Sequence, residues 1–386
     1  MILKPDGSVW STGYNEYGQL GTASNACSFE FVCAAISDAK AVSLGNDYSM
    51  VLKQDGSIWT TGQNLYGQLG DGSLADKSAF VKVLSSGARA VSAGRDYSMV
   101  LQQDGSVLAT GRNHCGQFGD GTTTSRSIFI QVVSSEVKAV ATGGSHSMVL
   151  KQDGSVWAAG SNSFGQLGMG FLFKVSTVFD VVENNVKAVA AGALHSLMVK
   201  QDGSVWTAGQ NLFGQLGDKS TIAKSTFTMA IAGGAKVVAA GHSFSIVLKE
   251  NGSVWATGSN LHGQLGDGST TDRNSFIKVI SNGATAVAAG FGHTMVLTED
   301  GSVLATGWNL YGQFGDGSIT SKSNFRRVAR LSDGVVYAAV IATENLLSSD
   351  VPSTTSDSST GNRAVPCFTC LLQTLCDISF AQSATV

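Results

Sequence analysis

Hydrophobic and polar positions along this chain fall into short runs broken by glycine, not into stretches with helical spacing. Between residues 139 and 187, Ala139-Val140-Ala141 ends at Gly143, Ser147-Met148-Val149-Leu150-Lys151 runs into Asp153-Gly154, and Ser155-Val156-Trp157-Ala158-Ala159 stops at Gly160. Each run has the length and residue types of a β-strand. Asp-Gly between two of them signals a tight hairpin, because a type I′ turn needs positive φ at both central residues. A loop reading Gly160-Ser161-Asn162-Ser163-Phe164-Gly165-Gln166-Leu167-Gly168 follows, and a fourth run around Val178 completes the unit. No window sustains a helical period, so helix is not expected.

The same unit returns along the whole chain. Asp-Gly-Ser begins at Asp6, Asp55, Asp104, Asp153, Asp202 and Asp300, with Asn251-Gly252-Ser253 in the remaining place, so the period is 49 residues over seven copies. On this spacing the counterparts of Val178 are Phe80, Phe129, Phe227, Phe276 and Phe325. Four short antiparallel strands per copy suit a propeller blade better than a solenoid coil. The expected fold is all-β: a seven-bladed β-propeller over residues 1–347. Met1-Ile2-Leu3 aligns with Met50-Val51-Leu52, so the first copy lacks its leading strand, and the apolar run Val335–Val340 is of the right character to supply it. Pairing of the two would close the ring and remove two sheet edges. A strand upstream of Met1 is the alternative.

Composition narrows the partners. Lys plus Arg total 25 against 28 Asp plus Glu, a formal charge of −3, with 14% of residues charged. That balance shows no nucleic-acid footprint, and Arg326-Arg327 with Arg330 reads as a solvated strand edge. No basic segment followed by an apolar core opens the chain, and no apolar run is long enough to span a membrane, so a soluble intracellular protein without a membrane partner is expected. Residues 348–366 read as a Ser/Thr-rich linker and 367–386 as a poorly ordered tail. Cys367 and Cys370 have the spacing of a zinc or redox pair, but Cys376 adds only a third thiol and no histidine follows His293. No metal or other cofactor is expected.

Nor does a catalytic constellation emerge. His146, His195 and His293 occupy one repeat position, filled elsewhere by Tyr48, Tyr97 and Phe244, which points to a packing role. His114, His242 and His262 are scattered, with no nucleophile or carboxylate at a spacing that implies a triad. A glycine-rich loop that recurs seven times serves the scaffold, not a single phosphate site.

Comparison among the copies separates framework from free positions. Asn15, Asn64, Asn113, Asn162, Asn211, Asn260 and Asn309 never change, nor does the glutamine four residues later, so these are expected to brace the loop backbone. Trp10, Trp59, Trp157, Trp206 and Trp255 share a strand position, and Tyr17, Tyr66, Phe164, Phe213 and Tyr311 share a loop position, both consistent with packing between blades. The residue before each Asn varies: Tyr14, Gln63, Arg112, Ser161, Gln210, Ser259 and Trp308. So does the pair after the first strand, including Asn46-Asp47, Arg95-Asp96, His242-Ser243 and Phe291-Gly292. Tyr, Arg and Trp at variable loop sites suit a protein-binding rim, with neutral drift as the bland alternative. Phe171-Leu172-Phe173, in a loop polar in other copies, reads as a partner patch or as a loop folded onto its own blade.

The repeated G-x-N-x-x-G-Q-L-G at Gly13–Gly21, Gly62–Gly70, Gly160–Gly168, Gly209–Gly217 and Gly258–Gly266, with Phe118 and Phe314 replacing Leu in the others, closely resembles the regulator of chromosome condensation repeat family. The resemblance spans about residues 1–347 and implies a seven-bladed propeller. That family includes a guanine-nucleotide exchange factor, ubiquitin-ligase and kinase appendages, a plant photoreceptor and secreted β-lactamase inhibitors, so it implies no single activity. The exchange factor's basic tail and blade insertion have no counterpart here, and the acids nearest its pattern are Asp47 and Asp96. The expected function is therefore non-enzymatic binding of a protein partner through the loop rim. Nucleotide exchange on a small GTPase is the alternative, and a secreted inhibitor the third reading.

Overall fold

The computed structural model describes residues 1–170, 175–330 and 337–338. Every regular element among them is a β-strand, and the strands form seven four-stranded antiparallel sheets. In the second blade, Ala39–Leu44, Tyr48–Lys53, Ile58–Gly62 and Lys77–Leu84 pair in sequence order. First strands of successive blades neighbour one another and so lie nearest the axis, while the fourth strand is outermost. The two middle strands are almost wholly buried. This is a seven-bladed β-propeller.

The hairpins form where the turn chemistry requires them. Gly56 sits at φ +77°, and the Asp55 carboxylate accepts the Ser57 amide at 2.8 Å, so the Asp-Gly-Ser triplet closes itself locally. Ser57 Oγ in turn accepts the Trp59 indole N–H at 3.1 Å, and the Lys53 ammonium lies 4.9 Å from the indole centroid. These half-buried tryptophans complete cores shared by two blades. Val9, Leu20 and Ala34 of the first blade pack with Leu44, Val51 and Trp59 of the second. The core is thus a series of sheet-on-sheet contacts around the ring.

The ring closes with the C-terminal strand. Tyr337–Ala338 pairs antiparallel with Ile2–Leu3, in the register Ile2↔Ala338 and Leu3↔Tyr337, and gives the first blade its inner strand. Contacts across that seam repeat those of other seams. Thr12 Oγ1 donates to the Gly312 carbonyl at 2.7 Å, as Thr61 Oγ1 does to Gly18 at 2.9 Å.

One register differs from expectation. The ring over Gly119 belongs to Phe179, not to the residue at Val178, whereas Phe80, Phe129 and Phe227 cover Gly21, Gly70 and Gly168. Val178 is exposed. The outer strand of the fourth blade, Val175–Glu183, pairs one residue later, with Gly160 opposite Ser176 where Gly111 faces Arg126, and only two residues, not three, separate it from the next strand at Val186. The two changes cancel in the 49-residue period. Bulky apolar packing on a glycine with no side chain sets the register, and Phe179 fills that place better than Val178.

Each long loop is stapled to the following blade. A Cβ on Gly67, at φ +81°, would stand 2.5 Å from the Ser127 Cα, and the Gly72 amide donates to the Ser127 carbonyl at 2.8 Å. Gly67→Ala is therefore expected to lower stability by roughly 3 kcal/mol or more, through both positive φ and backbone collision. Urea unfolding of the variant checks this; a loss no greater than that of a surface substitution would refute it.

Candidate protein-docking face

The turns after the first strand and the long loops after the third lie at one end of the ring, opposite the Asp-Gly hairpins. Each long loop is built around its asparagine. Asn64 Oδ1 accepts the Leu69 amide at 3.0 Å, while its Nδ2 donates to the Ser73 and Ala75 carbonyls at 3.1 and 3.2 Å. Gln68 Oε1 accepts the Tyr66 amide at 2.9 Å. Asn113 and Asn260 repeat the first pattern, and Gln166, Gln215 and Gln313 the second. They are the braces the sequence suggests. The shared aromatic position packs across a seam, with Tyr66 against Arg112 and Tyr311 against Tyr14.

Between these loops the two variable sets come together. The residue before each Asn donates its amide to the carbonyl of the turn residue beside it: Gln63 to Asp47 at 2.8 Å, Arg112 to Asp96 at 2.9 Å, Gln210 to Leu194 at 2.9 Å and Trp308 to Gly292 at 2.7 Å. The turns of neighbouring blades also touch, as Asn46 donates to the Arg95 carbonyl and Gly144 to that of Ala193. Positions far apart in sequence thus form one mouth around the axis.

That mouth is polarised. On the second and third blades it is ionic: Asp96 lies 3.7 Å from Arg95 and 3.4 Å from Arg112, while Asp47 accepts from Gln19 at 3.3 Å and from Asn46 at 3.1 Å. Asp47 and Asp96 are buried. On the sixth, seventh and first blades it is aromatic. His262 stacks on Trp308 at 5.4 Å, Phe291 lies 5.7 Å and Tyr311 5.8 Å from Trp308, and Tyr14 lies 5.1 Å from Tyr311. Tyr14 donates its hydroxyl to Glu16, and burial first, then that carboxylate, push its pKa up. Burial, then the Arg95 guanidinium, lowers the His242 pKa to about 4, which sets Arg95 of the third blade in electrostatic reach of the sixth.

The variable positions differ in exposure. Tyr14 and Trp308 are 9% and 7% exposed, so both are packed side chains, and Gln63 and Gln210 accept from the neighbouring loop glutamines. What stands out into solvent is the residue after the Asn, which sequence comparison passed over: Leu65, Leu212, Leu261 and Leu310 are 60%, 66%, 71% and 57% exposed. The signal was available, since this position varies as Glu16, Leu65, His114, Ser163, Leu212, Leu261 and Leu310. Phe171, Leu172 and Phe173 lie outside the described residues, as do the linker and tail.

The buried histidines are part of a belt beneath the mouth. His146 Nε2 meets Ser196 Oγ at 2.9 Å and His195 Nε2 meets Ser245 Oγ at 3.0 Å, each on the next blade, while Tyr48 and Tyr97 donate to the carbonyls of Tyr97 and His146. Desolvation lowers their pKa values to about 4 for His146 and about 3 for His195 and His293.

Comparison with known proteins agrees with this architecture. The family model for the RCC1-like domain matches residues 90–350, and the regulator of chromosome condensation (RCC1) repeat matches residues 6–52, 55–101 and 39–68. The chain belongs to the RCC1-like family. No curated protein matches it in sequence. Among solved structures, Prp20p from Saccharomyces cerevisiae superposes with a TM-score of 0.76 at 19% identity, covering 86% of this chain and 88% of that one. Human WBSCR16 gives 0.76 at 21% identity, covering 87% and 96%. At such identities the likeness is one of fold. Prp20p is described with binding to Gsp1p and histones, and yeast RCC1 (Prp20) also as bound by Kap60.

Proposed function

We propose that this RCC1-like propeller is a non-enzymatic interaction module that docks a protein partner on its loop face. The observation that carries the reading is the convergence at the mouth, where side chains that differ between copies gather while the framework around them repeats. The exposed leucines beside the aromatic half supply the apolar area that interfaces bury. Binding of Gsp1p and histones by Prp20p supports protein binding by a propeller of this shape.

Leu212→Asp and Leu261→Asp are expected to weaken partner capture by roughly tenfold or more each, because a buried charge would replace an apolar contact. Unfolding midpoints should stay within error, as both side chains stand in solvent. Crosslinking of the parent and variants in cell extract reads this out, with Lys151→Ala on the opposite face as control. Capture insensitive to the leucines and lost with Lys151 would move the docking face to the hairpin end. Guanine-nucleotide exchange on a small GTPase is the alternative. It draws less support, since Asp47 and Asp96 are engaged inside the fold. Accelerated nucleotide release from any of a panel of GTPases would replace the docking reading.

A further inference from the structure

The loop glutamine is satisfied in most blades by the side chain before the Asn. Gln68 Nε2 donates to Gln63 Oε1 at 3.4 Å, Gln166 to Ser161 at 3.3 Å, Gln215 to Gln210 at 3.2 Å and Gln264 to Ser259 at 3.3 Å. In the seventh blade the side chain before the Asn is Trp308, whose indole can donate but not accept. Both Trp308 Nε1 and Gln313 Nε2 are buried without a hydrogen-bond partner. The other five indoles all have one, in the serine of the hairpin, at 2.9 to 3.1 Å. The fold therefore knows two ways to satisfy these groups, a Gln or Ser at position 308 and a serine near the indole, and uses neither here.

We propose that this blade carries an acceptor-seeking subsite on the loop face: an inserted loop of a partner protein brings an apolar side chain against Trp308, Phe291, His262 and Tyr311 and carbonyl or carboxylate oxygens to Trp308 Nε1 and Gln313 Nε2. The proposal rests on the docking reading and names its chemistry. Two unpaired buried donors destabilise the free protein, and an oxygen from outside removes that cost. The turns of the fifth to seventh blades, Ala193-Leu194, His242-Ser243 and Phe291-Gly292, present no carboxylate to repel or replace such an oxygen. Since both nitrogens lack solvent contact, a covering ring turns aside on entry. Phe291 is half-buried and sits on a two-residue turn beside Gly292, which has no side chain to obstruct the motion.

Indole N–H signals of the ¹⁵N-labelled full chain test this, because six tryptophans give six signals and Trp308 alone starts unbonded. N-acetyl-leucine amide is expected to move the Trp308 signal downfield and saturably while the other five stay in place. N-acetyl-alanine amide, with less apolar surface, should bind roughly tenfold more weakly. Tighter binding of N-acetyl-leucine than of its amide would assign the acceptor as a carboxylate, and equal binding as a main-chain carbonyl. Trp308→Gln restores the acceptor that Gln63 and Gln210 supply, so in the folded variant the Gln313 amide signal should no longer respond to the probes, whatever stability is lost with the packed ring. A Gln313 amide that still responds to the probes in this variant would overturn the subsite. Probes that leave the indole unmoved would also overturn it, with a bound water as the remaining partner. If the subsite fails while Leu261→Asp still weakens capture, the docking face survives; if both fail, it does not.

Discussion

A chain ending at Arg330 is expected to lose cooperative folding at temperatures where the full chain is native. The cut removes Tyr337–Ala338 and leaves Ile2–Leu3 without its inner neighbour. Met1, Ile2 and Leu3, each 2–3% exposed in the closed ring, would then line an open edge. Uncovering three large apolar side chains at about 2 kcal/mol each removes roughly 6 kcal/mol, comparable to the 5–15 kcal/mol that holds a typical domain together. An unpaired apolar strand edge also templates aggregation. A chain ending at residue 347 keeps the closing strand and should unfold with the parent's midpoint. Thermal unfolding and light scattering of the three chains decide the matter: equal midpoints for the chains ending at 330 and 347 would show that closure contributes nothing measurable.

The architecture was legible because it is written in local chemistry and written repeatedly. Asp-Gly-Ser forms its own turn, as the Asp55 to Ser57 bond shows, and needs nothing from the rest of the chain. The closing strand could be anticipated from an apolar run and a missing partner. The slip in the fourth blade could not, because an added and a lost residue cancel in the spacing and only the packing of Phe179 on Gly119 reveals them. At the mouth, variation between copies drew attention to Tyr14 and Trp308, which are buried, and passed over Leu65, Leu212, Leu261 and Leu310, which stand in solvent. Exposure there depends on packing within and between blades: Phe291 and Tyr311 of its own blade and His262 of the sixth surround Trp308, while Leu261 is left outside. Sequence comparison also cannot show that an acceptor is missing, since that requires knowing that Gln63 accepts from Gln68 while Gln313 Nε2 lies buried without a partner. Tyr14 and Trp308 are consequently poor choices for a binding-only mutation, because truncating either also opens a packed cluster.

The belt of buried histidines makes the propeller acid-sensitive in a window set by those residues. In the folded ring His146 stays neutral down to about pH 4 and His195 and His293 to about pH 3, whereas the unfolded chain takes up a proton on each near 6.5. The unfolded state therefore binds more protons between these limits, and stability is fully present above pH 6.5 and falls as the pH drops toward 4. Each histidine costs about 2 kcal/mol at pH 5, and the three together roughly 6 kcal/mol, with a limiting slope of about 4 kcal/mol per pH unit. The hairpin aspartates act lower: the hydroxyl and amide of Ser57 hold Asp55 below its ordinary value of 3.8, so its contribution is lost only in stronger acid. Replacing all three histidines by Phe, the residue already present at Phe244, should flatten the profile between pH 7 and 4.5. The partner hydroxyls stay satisfied in that variant, as Ser196 and Ser245 each also donate to a loop carbonyl at 2.7 Å. Urea unfolding of the parent and the triple variant across this range measures the difference. Parallel profiles would mean that the belt histidines titrate in the folded ring as they do in the unfolded chain, and that the belt does not exclude water.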